Sequence, residues 1–149
     1  MIQAPNKDLW SYHAQGHFVV IPVNTVVNTA GKLVMGAGLA KIARDRFPGL
    51  DLSLGRAYQQ GVPRVLPTTH RIVAFPTKYH WKDPSPLGLV IKSMHELCQH
   101  WGRGTFEREH VYVPAVGCGL GGLAVSEVRP ILEDIVETAN LFDRIHFLW

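Results

Sequence analysis

Cysteine is nearly missing from this chain: Cys98 and Cys118 are the only two among 149 residues. Two thiols build neither a disulfide framework nor a four-cysteine metal site, and their scarcity suits a reducing cytoplasm. Long hydrophobic runs are absent as well. Nothing approaches the ~18 consecutive apolar residues of a membrane-spanning helix. The opening Met1-Ile2-Gln3-Ala4-Pro5-Asn6-Lys7-Asp8 lacks the basic start and apolar stretch of a signal peptide. Charge is sparse, at 18% of residues, and the net value of +3 tolerates an anionic ligand without arguing for nucleic acid alone. No paired carboxylates, Ser/His/Asp set or metal-spaced His/Cys cluster stands out, so neither a metal nor a separate cofactor is expected. No Gly-Lys-Ser/Thr phosphate loop occurs. Met35-Gly36-Ala37-Gly38 lacks the third glycine and the distant acid of a dinucleotide fingerprint. With no repeat or linker, residues 1–149 read as one domain, large enough to bury a core and expected to be a monomer.

Glycine, by contrast, is concentrated. Pro114-Ala115-Val116-Gly117-Cys118-Gly119-Leu120-Gly121-Gly122-Leu123 holds four glycines in six residues, after the strand-like Val111-Tyr112-Val113. Glycine fills no core and loses the most backbone entropy on ordering. A strand, a glycine turn and a helix start instead suit an anion, through free amides and the helix dipole. A tight structural turn is the plainer alternative.

In chain order, residues 7–12 read as a short edge strand, and His17–Asn24 as a strand buried on both faces. A helix follows Gly38, with Leu39, Ile42, Ala43 and Phe47 on one face, and Pro48-Gly49 stops it. A short helix over 52–60 and strands over 64–66 and 71–75 come next. Leu87, Ile91, Met94, Cys98 and Trp101 predict an amphipathic helix. Ser126 is expected to cap a last helix with Val128, Leu132, Ile135 and Ala139 inward and Pro130 at its fourth position. Residues 145–149 close the chain as a strand. The alternation predicts an α/β fold: a three-layer α/β/α sandwich with a mixed central sheet. Ligands in such folds bind outside the carboxyl ends of the strands, where loops 24–38, 76–86 and 114–124 are due.

Those loops hold the candidate residues. Asn24 and Asn28 fit either turn chemistry or hydrogen bonds to sugar hydroxyls. Lys78, hemmed by Tyr79, His80 and Trp81, fits a solvated charge, a cation for phosphate or ribose, or an activated amine. His80 reads as a packing or hydrogen-bonding residue, and Cys118 as merely small.

Taken together, Val23-Asn24-Thr25-Val26-Val27-Asn28-Thr29-Ala30-Gly31, Val34-Met35-Gly36-Ala37-Gly38-Leu39-Ala40, Phe75-Pro76-Thr77-Lys78-Tyr79-His80-Trp81 and Gly117-Cys118-Gly119-Leu120-Gly121-Gly122-Leu123 resemble a macrodomain. They are most similar to the branch of DNA ADP-ribosyl glycohydrolase antitoxins (DarG-like) and the terminal ADP-ribose protein glycohydrolase. The resemblance implies an ADP-ribose-binding α/β/α module that removes ADP-ribose from DNA or protein. Asp8, beside Leu9, would contact the adenine amino group, with Asn28 facing the distal ribose and Asn24 near it. Met35, Gly36, Ala37 and Gly38, Thr77, and the run Val116, Gly117, Cys118, Gly119, Leu120, Gly121 and Gly122 would wrap the diphosphate and ribose. Lys78 would be the catalytic lysine, acting at the anomeric carbon. Gly121 stands where the protein-directed enzyme has an aspartate, so the antitoxin-like pattern fits better. Transient contact with single-stranded nucleic acid is the implied partner interaction. An ADP-ribose reader without turnover and an ADP-ribose-1″-phosphate phosphatase are the competing readings.

Overall fold

The computed structural model describes residues 8–149. In chain order the elements are α1 (Leu9–Ala14), β1 (Phe18–Val23), α2 (Gly38–Arg46), α3 (Leu50–Ala57), β2 (Leu66–Pro67), β3 (Ile72–Pro76), α4 (Leu87–Gly102), β4 (Val111–Pro114), α5 (Val125–Thr138) and β5 (Ile145–Leu148). Strand side chains alternate between faces, so each apolar strand serves two cores. Val20, Val73, Phe75, Val111, Val113, Ile145 and Phe147 pack on one side with α4 and α5. Val19, Ile21, Val23, Ile72 and Ala74 pack on the other with α1, α2 and α3. The result is the expected α/β/α sandwich.

The sheet runs β2-β3-β1-β4-β5. β1 pairs parallel with both β3 and β4, β4 pairs parallel with β5, and only β2 is antiparallel to its neighbour. The chain leaves β1 toward β3 and later crosses back to β4. Connection direction therefore reverses at β1, and the carboxyl ends of β1, β3 and β4 meet at a topological switch point.

Several local expectations give way to tertiary contacts. The segment expected as an edge strand is a helix from Leu9, because the Asp8 carboxylate accepts the Trp10 amide at 3.1 Å as an N-cap. Burial of Leu9, Trp10 and Tyr12 then holds that helix down; residue 7 lies outside the described residues. On α2 the expected Ala43 is buried together with Ala40, and Leu39 and Phe47 pack against the core partly buried, while Ile42 alone of the stripe turns outward at 41% exposure. On α4 the buried set is Leu89, Val90, Ser93, Met94 and Leu97. Leu87, Ile91, Cys98 and Trp101 only flank it, since this helix packs against β3 and α5 at once. The first strand after α3 shrinks to Leu66–Pro67. Ser126 does not cap α5; Ala124 occupies that place without a side-chain bond, which moves Pro130 to the sixth helical position. Ala139 ends that helix exposed, and Val136 takes its inward place.

Candidate ligand cleft

A cleft of about 590 Å³ opens at the switch point. The end of β1 and the segment Val34–Ala40 form one wall, Pro114 to Gly121 the other, and Thr77, Lys78 and Trp81 the lip. Each wall exposes backbone. Ala37 caps α2 with no side-chain hydrogen bond, so the first amides of the helix stay available at the lining residues Gly38, Leu39 and Ala40. In the opposite loop the amides of Val116, Cys118, Gly122 and Leu123 are spent on local carbonyls. Those of Gly117, Gly119, Leu120 and Gly121 have no backbone partner among the described residues. Free amides facing a helix N-terminus favour an oxyanion group such as a diphosphate.

The glycines divide by what a side chain would meet. A Cβ on Gly36 or Gly119 would enter open space, at backbone angles any residue adopts. The fold makes no demand for glycine there; room for a ligand does. At Gly121 a Cβ would lie 2.5 Å from the Gly117 carbonyl oxygen and against the Ser85 hydroxyl. The Gly121 carbonyl also accepts the Ser85 amide at 2.9 Å, so this turn admits no side chain without moving.

Lys78 is the only charged side chain lining the cleft among the described residues. The buried Thr77 donates its amide to the Val23 carbonyl at 2.9 Å, extending the β1–β3 ladder. Thr25 ties the next turn down, donating from its amide (3.3 Å) and its hydroxyl (2.9 Å) to the Tyr79 carbonyl. Held this way, the Lys78 ammonium donates to the carbonyls of Leu120 at 3.3 Å and Trp81 at 3.4 Å, joining the lip to the glycine loop. Neither acceptor can take its proton, and no carboxylate lines the cleft.

The structure brings Asn24, Met35, Gly36, Ala37, Gly38, Thr77, Lys78, Gly117, Gly119, Leu120 and Gly121 around this cleft, but not the rest of the predicted set. Asn28 sits exposed at a hairpin tip, its side-chain oxygen accepting the amides of Ala30 and Lys32, both at 3.0 Å. This is turn chemistry. Asn24 lines the cleft yet spends both ends of its amide on the Val34 carbonyl and the Val26 amide. Asp8 caps α1 and Leu9 is core. Val116 is core beneath the loop, while Cys118 and Gly122 lie off the lining. Burial raises the Cys118 thiol pKa, which argues against thiolate chemistry. His80 accepts the Lys82 amide at 3.1 Å, a hydrogen-bonding role. Trp81 went unnoticed as a lining residue; its position after the lysine was the available signal. No group of three or more His, Cys, Asp or Glu side chains suited to a metal occurs among the described residues.

A sandwich with glycine loops facing each other across the switch point and a lysine at the lip is the macrodomain fold. In particular, it is similar to the macrodomains of DarG proteins. The solved macrodomain of Mycobacterium tuberculosis DarG matches with a TM-score of 0.77 and 28% identity, over 99% of this chain and 97% of that one. The solved Thermosipho africanus DarTG in complex with ADP-ribose matches at TM-score 0.70 and 26% identity, over 88% of this chain and 37% of that one. A DNA ADP-ribosyl glycohydrolase of Thermus aquaticus is 27% identical over 134 residues, 83% of this chain and 37% of that protein. The chain spans about a third of the length of the curated relatives it matches. No protein-family model matches it.

Proposed function

We propose that this macrodomain binds ADP-ribose in the cleft and releases it from a modified macromolecule, DNA before protein, with Lys78 as the catalytic residue. The observation that carries this reading is the Lys78 ammonium fixed at the lip between the two walls. The free amides hold the diphosphate, which leaves the distal ribose at the lip, where an amine and an anomeric carbon meet in fixed geometry. Similarity to DNA ADP-ribosyl glycohydrolases supports DNA as acceptor. Gly121 supports it too, because a lysine–aspartate pair at this turn has no room. Two free thiols fit a cytoplasmic protein, and no described helix is long and apolar enough to cross a membrane.

Release of ADP-ribose from modified single-stranded DNA and from modified protein, wild type against Lys78→Ala, tests the proposal. The expected result is release from DNA by the wild type, lost by at least a hundredfold in Lys78→Ala, with ADP-ribose affinity changed less than tenfold. One observation favours a second reading, a reader without turnover: the ammonium already clasps two carbonyls, a structural task. In that case wild type releases nothing, and Lys78→Ala weakens binding instead.

A further inference from the structure

Trp81 and Leu120, whose carbonyls the Lys78 ammonium joins, flank the lysine at the mouth of the cleft, next to where an acceptor on the ribose would sit. Leu120 is 72% exposed, Trp81 48% and Tyr79 52%. An indole this open is not serving the core. Its ring contacts are His80, stacked at 5.3 Å and 27°, and the Lys82 ammonium, 5.1 Å from the ring centre. Within loop 77–86 the two lysines face one acid, Asp83, whose amide bonds the His80 carbonyl. A flat exposed ring with an exposed cation beside it is the chemistry that takes an unpaired nucleobase and its phosphate. A peptide acceptor would instead want an unpaired strand edge or apolar pockets. The strands ending at this lip lie inside the sheet, β1 between β3 and β4 and β3 between β2 and β1.

We infer that Trp81 and Lys82 form the acceptor platform of this site, for single-stranded nucleic acid. Trp81 stacks an unpaired base next to the modified position. Lys82 leaves the ring as the base arrives and contacts the neighbouring phosphate. The inference rests on the release reading proposed above, but binding alone can test it.

The experiment compares free ADP-ribose with a short single-stranded deoxyoligonucleotide carrying ADP-ribose on one base. Binding to Lys78→Ala protein, in which turnover is blocked, is measured by calorimetry. The oligonucleotide is expected to bind roughly tenfold tighter than ADP-ribose, the gain of one stacked base. Adding Trp81→Ala erases that ratio and Trp81→Phe keeps most of it. Adding Lys82→Gln lowers the salt slope of log affinity by about 0.7, one phosphate on a single strand. Both side chains are exposed, so neither change threatens folding. Equal affinity for oligonucleotide and ADP-ribose overturns the platform while leaving the hydrolase reading intact. So does a Trp81→Ala loss that is as large on an ADP-ribosylated protein. Absence of ADP-ribose binding by the wild type, measured alongside, overturns the function itself.

Discussion

Gly36 and Gly121 look alike in the sequence and differ in kind. Gly36 has open space where its side chain would be, whereas Gly121 is enclosed by Gly117 and Ser85. Gly36→Ala is therefore expected to fold with stability within about 0.5 kcal/mol of wild type. It should still lose at least tenfold in ADP-ribose affinity, because the methyl group fills ligand space. Gly121→Asp should cost about 1–3 kcal/mol through overpacking of the turn, and lose binding with it. Urea midpoints and calorimetry on the two variants separate these outcomes. Equal stability losses would show that Gly36 is structural after all. The asparagines carry a related lesson. Either could serve a turn or a sugar by residue type, and in the structure the side-chain oxygen of each accepts nearby backbone amides.

At the scale of elements, the surprises cluster at helix starts. A capping residue was expected at Ser126, but α5 begins two residues earlier than that cap implies, with Glu127 in its first turn. That shift leaves the Ser126 carbonyl without the bond that a non-proline residue 130 would donate. Pro130 is exposed, so Pro130→Ala restores the bond without disturbing packing. The expected gain is about 1–3 kcal/mol, read as a raised urea midpoint with unchanged ADP-ribose affinity. A loss of stability would mean that the proline stiffens the unfolded chain more than it strains the helix. The helix register on α4 teaches the same point. Its regular 3–4 spacing was plain in the sequence, yet the inward face turned toward Leu89, Val90 and Leu97, because two neighbours share that helix.

Across the whole molecule, the edge opposite the cleft carries a second group of polar rings. His110 Nδ1 lies 2.8 Å from His146 Nε2, Arg144 is 3.4 Å from the other His110 nitrogen, and Tyr112 stacks on Tyr12 at 4.0 Å. Burial lowers the His110 pKa, and Arg144 and His17 lower it further against the pull of Asp143 and Glu109. A folded value below the unfolded 6.5 means that the folded chain binds fewer protons. The corresponding stability is present above pH 6.5 and is lost as pH falls through the folded value. Urea midpoints measured between pH 8 and 5 should decline below about 6.5, and His110→Gln should flatten that decline. A wild-type midpoint that rises on acidification would contradict the sign.

The sequence by itself determined the sandwich, the three loops and the macrodomain resemblance, because strand hydrophobicity and glycine clustering are local properties. Loop contents followed from strand order: residues placed after β1, β3 and β4 had to arrive at one edge. What only the tertiary structure decided was direction. It separated Asn24 from Asn28, the enclosed Gly121 from the open Gly36, and the lining Trp81 from Cys118, which packs against the core. It also made a capped helix, Leu9–Ala14, where a short strand over 7–12 was expected. Each of these depends on which distant atom lies within a few ångströms, and such proximity arises from packing rather than from sequence spacing.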